Sequence, residues 1–334
     1  MKNISNPYIA TAKRLQSGEK ITIQRLAVKT QKHLSFSCKL DDIGNGHIYI
    51  GHGKEISGSS WLEIDKDEVK AYAYYSYANP QYRSLLKEPL LHGLNIRDSL
   101  KVNVDVNPDK IGAYLTLSTP SGTVSAEMFG WDGVDGEIFA SAEACELFNC
   151  NLSWYSDGFM RRIWVLGDSY AGITGTLRWP AYLIRDGYTS HMICGFPGMP
   201  AERSIEEFKK MINNGKPEFV FWTLGMNNED KNGEINPLYK KATEELIAIC
   251  LERGITPILA TIPNVPERDH TKKNAWIRSL PYRYVDFECA VGSDKRVDWY
   301  EGMLYADKVH PDEKGAKALY EQVLRDFPEI MQKD

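Results

Sequence analysis

Between residues 33 and 120, apolar and polar residues alternate in short runs: HLSFSCKL (33–40), GHIYIGHG (46–53), KAYAYYSYA (70–78), LKVNVDVN (100–107) and AYLTLSTP (113–120). A period of two places every second side chain on one face of an extended strand. Turn residues separate the runs, as in DDIGNG, NPDK and TPSG, and no sustained period of 3.6 intervenes. Strands at this spacing, without helices between them, predict an antiparallel β-sandwich or jelly roll whose sheets cover one another face to face.

From residue 161 the rhythm changes. Continuous apolar runs appear at RRIWVLG (161–167), SHMICGF (190–196), PEFVFWTLG (217–225), TPILATIP (256–263) and YRYVDF (282–287). Between them lie helical patterns, SIEEFKKMI (204–212), PLYKKATEELIAICLERG (237–254) and TKKNAWIRSL (271–280), and DEKGAKALYEQVLRDF (312–327) closes the chain. Unbroken apolar strands alternating with helices predict a parallel sheet covered on both faces, a three-layer α/β fold. Such a sheet places ligands beyond the C-terminal ends of its strands. The segment YSDGFMRR (155–162) carries neither period. The expected division is therefore a β-sandwich domain over residues 1–155 and an α/β domain over 156–334.

Composition narrows the function classes. At 334 residues the chain exceeds what one core usually organises. Its net charge of -5, without a basic stripe, argues against a nucleic-acid partner. No apolar run is long enough for a membrane span, and no apolar stretch follows the first Lys. The expected location is the cytoplasm unless a leader has been removed. The six cysteines form no CxxC pair. Cys145 and Cys150 are close enough to bridge in an oxidising compartment, but buried free thiols are the favoured expectation. No HxH or HExxH pattern marks a metal site, so neither metal nor cofactor is expected.

Four short segments stand where loops leave the expected strands or open the last helix. GDSY (167–170) follows IWVL, which puts the Ser169 hydroxyl over the C-terminal edge of the sheet, although Ser after Gly-Asp is also common turn chemistry. In CGFPGMP (194–200), Gly198 offers either an unobstructed N–H or simply a turn. In LGMNNED (224–230), Asn227 is either an oxyanion donor or an Asx turn. In ADKVHPDEKG (306–315), Asp307 and His310 are close enough for the carboxylate to hold the imidazole, leaving the other ring nitrogen as a general base. Pro311 then suits the start of a helix.

Together, and in this order, the four segments resemble the SGNH (GDSL-like) hydrolase family over roughly residues 160–330. The resemblance implies Ser169 as nucleophile, His310 as base and Asp307 as its orienting acid. It also implies an oxyanion hole built from Ser169, Gly198 and Asn227. Two positions depart from the family pattern: Asn228 stands where Asp is usual, and Tyr170 follows the serine. The first domain is similar to the sandwich modules of two-domain bacterial carbohydrate esterases and to laminin-G or concanavalin-like sheets. Within it, Trp61, Trp131 and Trp154 are either core residues or stacking faces for sugar.

The expected activity is that of a serine esterase acting by Ser-His-Asp acyl transfer on short-chain, acetyl esters of carbohydrate. A lipase or thioesterase is the nearest alternative, and a carbohydrate-binding protein with an inactive hydrolase domain is another. The expected partner is a small-molecule or glycan ester, with no nucleic acid and no membrane. Asp168, Trp179, Trp299 and Tyr300 are the candidate substrate contacts, and Phe196, Met199, Met226 and Tyr305 lie near the motifs.

Overall fold

The computed structural model describes the chain apart from residues 1, 4–8, 13, 19, 24–31, 53–59, 67–68, 75–81, 85–98, 108–111, 120–121, 129–137, 148–150, 173–177, 189, 196, 232, 293–298 and 331–334. It divides into two compact units, residues 1–157 and 158–334.

In chain order, the strands of the first unit are β1 (Lys2–Asn3), β2 (Ile9–Ala12), β3 (Lys20–Ile23), β4 (Lys32–Lys39), β5 (His47–His52), β6 (Ser60–Ile64) and β7 (Val69–Tyr74). They continue with β8 (Tyr82–Ser84), β9 (Ser99–Asn107), β10 (Gly112–Thr119), β11 (Gly122–Met128), β12 (Ile138–Glu143) and β13 (Asn151–Ser156). They form two sheets, ordered β1-β3-β12-β5-β6-β7-β8 and β11-β10-β9-β4-β13-β2. Apart from the parallel pair of β1 with β3, the neighbours run antiparallel. Where side chains are described, burial follows the expected period of two. Phe36 and Cys38 are buried in β4, and Ile48, Ile50, Leu62, Ile64, Ala140 and Ala142 in β5, β6 and β12, while Ser35, Ser37, Tyr49, Glu63 and Ser141 are more open. The buried side chains of β4 thus share one face of that strand, and those of β5, β6 and β12 share one face of theirs. Trp131 and the side chains of Trp61 and Trp154 lie outside the described residues. The segment read as an aperiodic boundary is partly strand, since β13 runs to Ser156 before a 3-10 turn over Asp157–Met160. Cys38, Cys145, Cys194, Cys250 and Cys289 are not in disulfides; Cys150 lies outside the described residues.

The second unit alternates β14 (Ile163–Gly167), α1 (Trp179–Arg185), β15 (His191–Gly195), α2 (Ala201–Met211), β16 (Phe219–Thr223), α3 (Pro237–Glu252), β17 (Thr256–Ala260), α4 (Thr271–Ser279), β18 (Tyr284–Val285), α5 (Phe287–Val291) and α6 (Glu313–Asp326). The five strands are parallel, in the order β15-β14-β16-β17-β18. Every residue of β14 and β15 is buried, which requires cover on both faces. The helices supply it in two groups, α2 packing on α3, and α1 and α5 on α6. The layers are filled by large side chains, among them Trp164, Phe208, Phe221 and Trp222, all fully buried. Each such burial contributes roughly 1.5–3 kcal/mol. The indole of Trp222 also donates to Thr243 Oγ1 at 3.0 Å, so its one polar atom is satisfied. The run YRYVDF is strand for only two residues. Asp286 accepts from Cys289 N at 3.3 Å, and this cap starts α5 at Phe287.

The strand order reverses at β14, which lies between β15 and β16. Loops leaving the C-terminal ends of these three strands are therefore neighbours, the arrangement in which open α/β sheets form their crevices. The chain packs tightly there. A Cβ placed on Gly195, at the end of β15, would lie 2.3 Å from Gly172 Cα and 2.5 Å from Gly172 N, in the turn that follows β14. Those are backbone atoms and cannot swing aside. Gly195→Ala should lower stability by roughly 1–3 kcal/mol, the range for overpacking a tight site. Urea unfolding would measure it, and a change below about 0.5 kcal/mol, the usual range at permissive sites, would show that the turn yields instead.

Candidate active site

The chain leaves β14 at Gly167 and turns at once. Ala171 N and Gly172 N both donate to Asp168 O, at 3.1 and 3.0 Å, and this helical turn carries Ser169. The Asp168 side chain is buried, and both its oxygens are engaged. Oδ1 accepts from Tyr170 N at 3.0 Å and Oδ2 from Met226 N at 3.3 Å. One carboxylate thus fixes the serine turn and ties it to the loop after β16. Burial pushes the Asp168 carboxyl up to about 6, against the opposing pull of the two N–H donors and of His310.

The histidine comes from the loop before α6. Asp307 Oδ1 accepts from the N–H groups of Val309 and His310, each at 2.9 Å, and Oδ2 lies 2.7 Å from His310 Nδ1. His310 Nε2 lies 2.8 Å from Ser169 Oγ. With Nδ1–H donating to Asp307, Nε2 is left to accept the serine proton. Burial raises the Asp307 carboxyl, but the donors from His310 and Val309 outweigh it and hold the group down at about 2. The loop is braced by its own backbone: Tyr305 N donates to His310 O at 2.8 Å, Lys308 N to Tyr305 O at 2.9 Å and Asp312 N to Met303 O at 2.9 Å. Lys308 adopts a left-handed φ of 58°, a costly conformation for a residue with a side chain. Asp312 then caps α6 by accepting from Gly315 N at 2.8 Å. Tyr170 reaches across to donate from its hydroxyl to Val309 O, so the serine turn also supports the histidine loop.

The remaining candidates lie on the loops after β15 and β16. Gly198 sits in an exposed turn with a left-handed φ of 70°. Asn227 is half-buried, and its Nδ2 donates to Met199 O at 3.3 Å, which links the two loops beside Gly198. Asn228 is buried; its Oδ1 accepts from Ala201 N at 2.8 Å and its Nδ2 donates to Glu202 Oε2 at 2.7 Å. An amide can do both, whereas an aspartate there would face the Glu202 carboxylate with no proton to offer.

Lys273, which the sequence reading treats only as part of a helix, is wholly buried beneath the β16 loop. Its Nζ donates to Gly225 O at 3.1 Å and to Asn228 O at 2.6 Å, and pairs with Asp230 at 3.3 Å. Arg268 donates to Met226 O at 3.0 Å. Backbone carbonyls on both sides of Asn227 are therefore held by cations. Burial lowers the Lys273 ammonium to about 8, with Asp230 opposing, and lowers the neighbouring His270 to about 2, keeping that imidazole neutral.

The expected substrate contacts divide. Trp299 is half-buried, edge-on to Tyr170 at 6.4 Å, with its indole donating to Asn264 O at 2.6 Å. Tyr300 and Tyr305 are exposed. Two expectations are corrected. Trp179 is fully buried against Phe287, with ring centroids 5.5 Å apart, so it presents no surface to a ligand. Asp168 has spent both oxygens on backbone N–H groups and serves the frame of the site. Met226 is buried, Met199 is half-buried, and Phe196 lies outside the described residues. Among the described residues, no group of three or more His, Cys, Asp and Glu side chains is placed to hold a metal ion, and no helix is long and apolar enough to cross a membrane. A hydroxyl bonded to an imidazole that a carboxylate holds from behind can pass its proton to the ring as its oxygen attacks a carbonyl carbon.

The buried Asp168 carboxyl generates a pH effect. Its pKa is higher folded than unfolded, so the folded chain binds the extra proton, and this contribution to stability falls as pH rises from about 4 to about 6. Relative to Asp168→Asn, wild type should lose up to about 3 kcal/mol across that window. Denaturant unfolding of both proteins at pH 4 and pH 7 measures the difference; a pH-independent gap would mean that Asp168 is not desolvated as described.

No family model and no curated protein matches the chain. Solved structures do. A carbohydrate esterase family 3 protein from Talaromyces cellulolyticus is 19% identical with a TM-score of 0.41, over 52% of this chain and 98% of that one. A lipase/acylhydrolase from Enterococcus faecalis is 21% identical with a TM-score of 0.40, over 52% and 99%. A GDSL-like lipase from Bacteroides thetaiotaomicron is 15% identical with a TM-score of 0.40, over 51% and 88%. Over about half of its length, the chain is similar to GDSL-type lipolytic proteins and carbohydrate esterases.

Proposed function

We propose that the second unit hydrolyses carboxylic esters by acyl transfer through Ser169. One observation carries this reading: the unbroken contact from Asp307 through His310 to Ser169, at 2.7 and 2.8 Å. Ser169 Oγ attacks the ester carbonyl as His310 Nε2 takes its proton. The carbonyl oxygen, now negative, is met by the N–H groups of Ser169 and Gly198 and by the Asn227 amide. As the C–O bond breaks, His310 returns the proton to the departing alcohol. Water, deprotonated by His310, then attacks the acyl-enzyme, and the acid leaves with Ser169 restored. Asp307, ionised at any pH above about 2, keeps the imidazole oriented and stabilises its protonated form.

The substrate on this reading is a short-chain ester, acetyl in the first instance, on carbohydrate. The exposed rings of Tyr300 and Tyr305 beside the histidine loop support it, since aromatic faces suit sugar rings. So do the two sheets of the first unit, which we read as a sandwich module.

Acetate release from p-nitrophenyl acetate and from acetylated xylan tests the reading directly. Ser169→Ala should lose several orders of magnitude in turnover while keeping its unfolding midpoint. Near wild-type activity in that variant removes Ser169 from the mechanism. Faster hydrolysis of long acyl chains would point to a lipase or thioesterase, and tight glycan binding without any turnover to an inactive hydrolase domain. Asn227→Ala should cost about 10²–10³ in kcat with a smaller change in KM, because the charge it meets develops only in the transition state. A KM that rises as far as kcat falls would make Asn227 a support for the Met199 loop.

A further inference from the structure

Arg178 stands immediately before α1 and is only 9% exposed. Its Nε has no hydrogen-bond partner, and among the described residues no carboxylate pairs with its guanidinium. Its position is set by the helix it opens. Ala181 N donates to Arg178 O at 2.9 Å, and Tyr182, four residues on, belongs to the same side of the helix. Tyr182 donates from its hydroxyl to Glu313 O at 3.1 Å, which holds that side of α1 against the chain just beyond His310. Among the described residues, the ionisable groups whose charges act on Arg178 are Asp307, Tyr170 and Asp168, all members of the Ser169 site.

None of the three is bonded to it; their charges favour the protonated guanidinium only from a distance. Asp307 gives Oδ1 to two backbone N–H groups and Oδ2 to the His310 ring. Asp168 gives one oxygen each to Tyr170 N and Met226 N. The Tyr170 hydroxyl donates to Val309 O. Burial lowers the affinity of the guanidinium for its proton, yet an arginine stays charged at neutral pH. A buried cation without a partner is costly, and an anion with two oxygens, matched to the planar fork, offsets that cost.

We infer that Arg178 is the anion-recognising residue of the Ser169 site, and that the ester taken there carries a carboxylate. The inference rests on the reading of Ser169 as the nucleophile, and it adds the charge of the substrate, in its acyl or its alcohol half. Small neutral esters, on this account, are poor stand-ins for the substrate.

Matched pairs of esters test it. 4-Acetoxybenzoate and its methyl ester differ by one charge in the alcohol half, and monoethyl and diethyl succinate by one charge in the acyl half. Acid release in a pH-stat should give wild type a roughly tenfold to hundredfold higher kcat/KM for the charged member of one pair, the gain expected of a hydrogen bond to a charged group. The pair that shows it names the half bearing the carboxylate. In Arg178→Gln the ratio should collapse towards one, chiefly through KM, and in Arg178→Lys it should partly survive. Equal rates within both pairs, or a preference that survives Arg178→Gln, overturn the inference while leaving the esterase reading intact. A protein that hydrolyses none of the four, nor p-nitrophenyl acetate, overturns the esterase reading. The anion site is then judged by binding alone: succinate and benzoate should raise the Tm of wild type but not of Arg178→Gln. Arg178→Gln itself should melt no lower than wild type, since it removes a buried charge that no described residue pairs with, and a Tm several degrees lower would make Arg178 a structural residue.

Discussion

The Asp168 carboxylate is almost without access to water, and its two oxygens accept backbone N–H groups from two different loops. The geometry of the site depends on that one interaction. A parallel sheet delivers the ends of β14, β15 and β16 to the same edge but leaves their loops free to diverge. Asp168 removes that freedom for two of them, fixing Ser169 at the turn and Met226 beside Asn227. Asn228 and Asn227 then secure the loop after β15 through Ala201 N and Met199 O. Tyr170 extends the same frame to the histidine loop through Val309 O.

Such a frame has electrostatic consequences. Burying Asp168 with no described cation bonded to it drives its pKa up, and the ammonium of Lys273 lies beneath the same loop, bonded to carbonyls rather than to Asp168. The left-handed Lys308 adds backbone strain where the chain turns to bring Asp307 behind His310. Local cost of this kind is typical of sites whose geometry the surrounding structure over-determines.

The parallel sheet and four of the helices around it were legible because their signals are periodic and long. The short α1 and α5 were not: α1 carries Pro180 in its first turn and three aromatic or β-branched residues, and α5 is set by the Asp286 cap rather than by any period. In the first unit, β4, β5, β7, β9 and β10 lie in alternating runs, whereas β3, β8 and β12 are too short or too rich in small residues to stand out. The residues of the proposed mechanism were legible as motifs because each lies at a strand end or helix start. The supporting residues were not. Lys273 reads only as part of a helix, Arg178 belongs to no motif or period, and Asp168 reads as a substrate contact rather than a tie. What marks them is burial, and burial of a charged side chain follows from packing between segments far apart in the chain.

The account stands on Ser169 as an activated nucleophile, and a reagent that reports only on nucleophilicity tests it without assuming a substrate. The protein would be treated with diisopropyl fluorophosphate and its peptides read by mass spectrometry, with ester hydrolysis followed in parallel. The expected result is one phosphoryl adduct, on Ser169, formed as hydrolysis is lost and absent from Ser169→Ala. An adduct on another residue, or hydrolysis that continues undiminished once Ser169 is fully modified, would contradict the account.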